Sequence, residues 1–260
     1  MKLFKYSATG NLFVVLDNRE GDLDPQNKRL WISICQKYEV DGVLLLENSK
    51  VGDFKMRIIN SDGGEVSMCG NGIRAITHFA YFHGEINKKR NFKVETEKGI
   101  YESNFLKDNY LKVKMTELYD VDKIKISHLF NAEKSLYLNT GVPHCVFVTK
   151  NIDDININKM AHPISINPIF KDGVNVNFVE IMGQNSIKIR TFERGVYGET
   201  YSCGTGATAG AIAIAKLFGW VGEINLLTKG GKLQVILDKE FKNVYLCGDV
   251  EILLSDELNV

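Results

Sequence analysis

Cysteine stands twice in this chain in the setting Cys-Gly-x-Gly, in MCGNGIRA at 68–75 and in SCGTGATA at 202–209. Each copy runs straight into an apolar segment, so each cysteine is expected just before a helix start. A thiol placed there meets the positive end of the helix macrodipole and backbone N–H groups that have no intrahelical partner. Such a setting lowers a thiol pKa from about 8.5 and makes the thiolate accessible near neutral pH. The glycines lack a Cβ, which lets the backbone come close to a ligand and offer its N–H groups to a carboxylate. One such site is an anion cup beside a sulfur base. Two of them around one substrate place sulfurs on opposite faces of the carbon next to the carboxylate. Inversion of a stereocentre by proton transfer needs that arrangement. A thiolate removes the α-proton, and a thiol returns a proton from the far side. Helix N-termini aimed at the carboxylate stabilise the carbanion, so the expectation is an enzyme that uses no cofactor and no metal.

Competing readings are weaker. A single Cys-Gly-x-Gly is accounted for by a tight turn, but burial preference does not choose cysteine at a helix start twice. A phosphate loop would need GxxxxGK[ST] or GxGxxG, and CGNGIR fits neither. A cysteine hydrolase uses one nucleophile with a partner histidine rather than two matched sulfurs. The other three of the five cysteines, Cys35, Cys145 and Cys247, read as small buried hydrophobes. Their odd total and the absence of CxxC spacing argue against a disulfide framework or a zinc knuckle.

The elements that carry the cysteines are also written twice. FKMRIINSDGGEVSMC at 54–69 is matched by IKIRTFERGVYGETYSC at 187–203: Lys55 with Lys188, Arg57 with Arg190, and Gly64-Glu65 with Gly198-Glu199. Upstream, TGNLFVVLDN from Thr9 parallels TGVPHCVFVTKN from Thr140, and VDGVLLLE parallels VNVNFVE. The offset runs from 131 residues (Thr9 to Thr140) to 134 (Cys69 to Cys203), which describes one duplication rather than a solenoid of short repeats. LFVVLDN, FKMRIIN, NYLKVKM, HCVFVTK, SIKIRTF and KLQVILD have strand composition and partial period-two alternation. Two central helices are expected over about 70–83 and 204–218, with Gly84 and Gly219 as stops. The second, TGATAGAIAIAKLFG, is apolar nearly all round and should be buried on most of its surface. The fold class expected is α+β, with two pseudo-symmetric lobes, each a β-barrel-like sheet around one helix. The lobes are placed at 1–120, carrying Cys69, and 121–260, carrying Cys203, with the last residues packing back on the first lobe.

Composition narrows the class of partner. Lys plus Arg number 32, as do Asp plus Glu, so no basic excess points to nucleic acid and no basic run to a membrane surface. Hydrophobic residues make up 44% and charged residues 25%, ordinary for a globular protein with a sizeable core. MKLFKYSATGNLF lacks the long apolar stretch of a signal peptide, and no uncharged apolar window is long enough to span a bilayer. A cytoplasmic protein is expected.

The chain resembles the diaminopimelate epimerases, pyridoxal-independent two-cysteine enzymes of lysine and peptidoglycan synthesis. The resemblance rests on GNLFVV, INSDGGEVSMCGNGIRA, GVPHCVFV, GVNVNFVEI, RTFERGVYGETYSCGTGATA and GGKLQV, and so covers nearly the whole chain. It implies that Cys69 and Cys203 are the acid/base pair. It further implies that the backbone of Gly70-Asn71 and Gly204-Thr205 holds the α-carboxylate and that Asn11 binds near the reacting centre. Asn60, Asn175, Glu193 and Arg194 match positions that grip the distal amino-acid head. Arg194 suits that task because guanidinium binds carboxylate bidentately. His144 and Glu193 match positions that orient the substrate amine. A small amino-acid substrate bound in a cleft and a homodimer are further implications.

The chain departs from the family pattern at Val142, where Asn is usual, and at Gly42, where Gln is usual. It also has SATGNLF for HGxGNDF, and GVYGET is one residue longer than GxGET. A polar partner lost at a buried carboxylate costs about 1–3 kcal/mol, enough to shift preference between substrates. Diaminopimelate, or its sulfur analogue lanthionine, is the leading substrate. A racemase of another amino acid such as histidine is the alternative, and a proton-shifting isomerase or a non-catalytic binding protein ranks below both.

Overall fold

The computed structural model describes residues 1–84, 86, 90–116 and 118–258. Two compact units emerge: Met1–Lys114 with Gly248–Val260, and Met115–Cys247. The division therefore falls at 114/115 rather than at 120, and the C-terminal residues belong to the first unit.

In the first unit, β1 (Lys2–Ala8) and β2 (Asn11–Asp17) form a hairpin through Thr9 and Gly10. Both turn residues have positive φ, 55° and 78°, the backbone that suits a tight turn between twisted strands. The chain then passes through α1 (Lys28–Tyr38) to β3 (Gly42–Glu47), which lies parallel to β2. Such a pair is covered on both faces, which is why LFVVLD and GVLLLE are nearly continuous apolar runs. Trp31 and Ile34 of α1 pack with Val14, Leu16, Val43 and Leu45 in one core cluster. An antiparallel partner, β4 (Phe54–Asn60), pairs with the short β5 (Glu65–Val66). Next comes α2 (Gly70–Phe82), in which every residue from Gly70 to Ala80 is buried. The helix ends short of Gly84, capped by His83. β6 (Asn91–Thr96) runs parallel to β4, and β7 (Gly99–Lys107) and β8 (Tyr110–Lys114) follow as an antiparallel meander. The chain's last strand, Glu251–Glu257, pairs antiparallel with β1.

The second unit repeats this order. β9 (Lys134–Asn139) and β10 (Pro143–Val148) are antiparallel, and α3 (Ile157–Ser165) leads to β11 (Asn175–Gly183), parallel to β10. β12 (Ser186–Glu193) and β13 (Gly198–Thr200) form the next antiparallel pair. α4 (Gly204–Phe218) is buried from Gly206 to Ala215 and stops at Gly219, whose φ of 76° only glycine adopts without strain. β14 (Gly222–Thr228), parallel to β12, and β15 (Gly231–Leu237) complete the repeat. The duplication holds at the level of register. Phe13 faces Gly42 as His144 faces Asn175, and Leu44 faces Ile58 as Asn177 faces Thr191. Among the described residues no helix is long and apolar enough to cross a membrane.

Candidate active site

Cys69 is the N-cap of α2, with φ −147° and ψ 117°, and its Sγ accepts from Gly72 N at 3.4 Å. Cys203 is the N-cap of α4, with φ −120° and ψ 111°, and its Sγ accepts from Gly206 N at 3.4 Å. Each sulfur thus takes the place of the side-chain oxygen that normally caps a helix, and accepts one of its orphan N–H groups. A backbone N–H donor and the positive end of a helix both favour thiolate over thiol. Two of the other cysteines are shifted the opposite way. Burial, helped by Asp41, pushes the Cys35 thiol up to about 11, and burial raises that of Cys145 still further, so both stay protonated.

Around Cys69 the first unit gathers three of the expected residues. The thiol lies 3.9 Å from Asn11 Oδ1, and Asn71 Nδ2 lies 3.5 Å from that same oxygen. Gly70 and Asn71 open α2 and are buried. Two residues not foreseen lock this group. Asn11 Nδ2 and Leu12 N donate to the Asp41 carboxylate at 2.6 and 2.8 Å. Arg74, wholly buried, donates to Asn71 Oδ1 at 3.1 Å and to Thr9 Oγ1 at 3.0 Å. Asn60, exposed, ends β4 opposite Gly42. A Cβ on Gly42 would stand 2.7 Å from the Ile59 carbonyl oxygen, so the backbone of β4 fills the space beside it.

In the second unit His144 on β10 faces Asn175 on β11, and Asn175 Oδ1 accepts from Arg194 N at 2.9 Å. Glu193 accepts from Thr200 Oγ1 at 2.6 Å. The Arg194 guanidinium donates to the Asp172 and Gly173 carbonyls at 2.7 and 3.2 Å, and lines an open cavity of about 680 Å³ with Tyr197 and Lys171. Thr205 Oγ1 lies 3.4 Å from Cys203 Sγ, and the Thr205 carbonyl accepts from Thr140 Oγ1 at 3.1 Å. His144 is fully buried. That burial, with the positive charge of Arg194 adding to it, pushes its pKa down to about 3. Its Nδ1 meets Asn177 Nδ2 at 3.0 Å. Asn177, buried and also bonded to Cys145 O and Thr191, escaped the sequence reading. A polar residue among VNVNFVE was the only signal.

The sequence model of the family described as "Diaminopimelate epimerase" matches residues 3–121 and 136–253. The chain belongs to this family. It is 36% identical to the diaminopimelate epimerase of Flavobacterium psychrophilum, over 98% of this chain and 99% of the relative. With the diaminopimelate epimerase of Aquifex aeolicus it shares 34% identity over 100% of this chain and 98% of the relative. Among solved structures, a phenazine biosynthesis protein of the PhzF family from Bacillus anthracis superposes with a TM-score of 0.78 at 16% identity, covering 100% and 99% of the two chains. A probable proline racemase from Agrobacterium radiobacter gives 0.74 at 15% identity, covering 100% and 93%. These two likenesses establish the fold, α+β with a duplicated arrangement, and the family members establish the class.

Proposed function

We propose that this protein is an isomerase, a cofactor-independent diaminopimelate epimerase in which Cys69 and Cys203 are the two proton-transfer groups. The observation that carries the reading is the matched pair of cysteine N-caps, each with its sulfur 3.4 Å from the third backbone N–H of its own helix. A thiolate stabilised there takes the α-proton, and the other residue, as a thiol, protonates the opposite face. Reaction in the reverse direction exchanges the roles. The remaining N–H groups of Gly70-Asn71 and Gly204-Thr205 are suited to the α-carboxylate, whose oxygens gather negative charge as the carbanion forms. Asn11, held by Asp41, supports the side of Cys69. Asn60, Asn175, Glu193 and Arg194 are assigned to the distal head, and Glu193 also to the amine. The unbridged cysteines fit a reducing cytoplasm.

Proton NMR in D2O tests this directly, by loss of the α-proton signal of LL-diaminopimelate, lanthionine and L-histidine in parallel. Fast exchange with diaminopimelate and none with histidine is the expected result. Exchange confined to a monocarboxylate amino acid would show that Gly42 and Val142 have re-aimed the pocket.

A further inference from the structure

The two copies differ beneath the helix that each cysteine opens. Under Gly72, Leu44 Cδ2 and Ile58 Cδ1 stand 3.2 and 3.6 Å from the place a Cβ would take. The equivalent strand positions in the second unit hold Asn177 and Thr191, whose side-chain oxygens stand 2.7 and 3.1 Å from a Cβ on Gly206. The third equivalent pair is Phe13 and His144. An apolar trio in one copy is thus a buried polar trio in the other. Burying three polar side chains is costly unless their hydrogen bonds are made, so a trio this dry carries a purpose.

Its hydrogen bonds fix the protons. The Cys145 carbonyl can only accept, and it lies 3.1 Å from Asn177 Nδ2. At the other end of the amide, the Thr191 hydroxyl donates to Asn177 Oδ1 at 3.0 Å. These contacts orient the amide. Nδ2 has two hydrogens, one for Cys145 O and the other for His144 Nδ1 at 3.0 Å, so Nδ1 accepts. A fully buried imidazole with a strongly lowered pKa is neutral at physiological pH, and a neutral ring that accepts at Nδ1 carries its proton on Nε2. Among the described residues, that buried Nε2 has no hydrogen-bond partner. Arg194, whose charge acts on the same ring, makes no ion pair among the described residues. A buried orphan N–H in the field of a guanidinium that has no ion pair among the described residues calls for an anion.

Resting on the epimerase reading, we propose that Asn177 is a positioning residue that holds His144 as an Nε2–H donor to a substrate carboxylate. In this role His144 neither takes the α-proton nor accepts from the substrate amine, which is left to Glu193. The polar trio belongs to the second copy alone, so one half carries the extra carboxylate donor and the other half does not.

The test is long-range proton–nitrogen NMR of the histidine ring in 15N-labelled protein, with His144 assigned by its loss in His144→Gln. The expected wild-type spectrum shows Nδ1 unprotonated and Nε2 protonated; a proton on Nδ1 overturns the proposal. Addition of meso-diaminopimelate should shift the Nε2 proton, and saturation of the protein without that shift also overturns it. Asn177→Asp keeps the shape but puts an acceptor against Nδ1. It should move the proton to Nδ1 and lower kcat/KM for α-proton exchange about 10–100-fold, the loss of one hydrogen bond to a charged group. An Asn177→Asp protein with unchanged ring signals and unchanged exchange contradicts the proposal. If that variant does not fold, the wild-type ring signals decide. They are read without turnover, so a chain that exchanges no α-proton sinks the epimerase reading separately from the tautomer.

Discussion

Cys69 lies 3.9 Å from an asparagine oxygen held in place by Asp41, whereas the duplication puts Val142 where the first copy has Asn11, and Cys203 has Thr205 Oγ1 at 3.4 Å instead. The caps match and their neighbourhoods do not. Serine is itself a favoured N-cap, so Cys69→Ser and Cys203→Ser should each melt within a few degrees of the wild type. Each should nonetheless lose on the order of 100-fold or more in epimerisation, the usual contribution of a positioned acid or base. A single variant with near wild-type turnover would falsify the two-thiol assignment. Asn11→Val copies the second unit's own residue into the first. The fold already accommodates valine at the equivalent position, so little stability should be lost, while kcat/KM should fall roughly tenfold as one polar contact goes. Steady-state kinetics beside a thermal melt separates the two effects. At this scale the two cysteine N-caps were legible because the same Cys-Gly-x-Gly pattern precedes an apolar run in each copy. Asp41, Arg74 and Asn177 were not, because a polar residue's partner lies on another strand or helix and leaves no trace in local spacing.

Helices α2 and α4 were foreseen nearly to the residue from Cys-Gly-x-Gly and the apolar run behind it, while α1 and α3 were not. In α3, Pro163 sits inside the helix and breaks the usual sequence rule, yet Ile157, Ala161 and Ile164 bury one face and hold it. The strand EILLSDE shows no burial alternation; every residue is exposed, and only its pairing with β1 makes it a strand. Two glycines offer a sharper test of the elements. Gly72→Ala meets only aliphatic carbons, Leu44 Cδ2, Cys69 Cβ and Ile58 Cδ1, at 3.2 Å or more, and should be near neutral because alanine favours a helix. Gly206→Ala drives its methyl against Asn177 Oδ1 at 2.7 Å and should cost about 1–3 kcal/mol in urea unfolding, as overpacking does. Equal losses at the two sites would remove the claimed asymmetry. The hairpin leading to each cysteine is pinned by the same ion pair, Arg57 with Glu65 at 2.8 Å and Arg190 with Glu199 at 2.7 Å. Hydrogen bonding to Arg190 holds the Glu199 carboxyl below its ordinary value of 4.5, against an opposing effect of burial. A carboxyl depressed in the folded state stabilises the fold above its unfolded value, and that contribution is lost as pH falls through the folded one. Stability should therefore drop as pH falls below about 4.5, and Glu199→Gln should flatten that stretch of the curve. Urea midpoints from pH 6 downward on both proteins supply the comparison.

Each unit encloses its own helix: α2 touches β1 to β4 and β6 to β8, and α4 touches β9 to β12 with β14 and β15. Duplication was legible at this scale because paired strands must keep register, so insertions collected in the loops and the offset stayed nearly constant. The path of the last residues is less visible, since a strand exposed along its whole length shows no burial alternation to mark the strand it joins. That difference sets an unequal expectation for the two halves. The second unit is one continuous stretch, 115–247, with an aromatic and aliphatic core of its own around Phe147, Phe178 and Phe192. Expressed alone, it should show native-like circular dichroism and a cooperative urea transition. Residues 1–114 alone lack the strand that pairs with β1 and lack Leu258, which sits in the core cluster with Leu3 and Trp31. They also lose the bond from Tyr38 to Asp256 at 2.7 Å and leave one edge of β1 open. This fragment should unfold at lower urea, or aggregate, and fusing 248–258 to its N-terminus through a short flexible linker should restore a sharp transition. The backbone bond from Leu258 N to Met1 O, at 2.8 Å, brings the end of that segment beside the chain start, so the linker need only be short. If 1–114 proves as stable by itself as the linked form, the terminal strand contributes no more than an edge cover, and the first unit's core is sufficient without it.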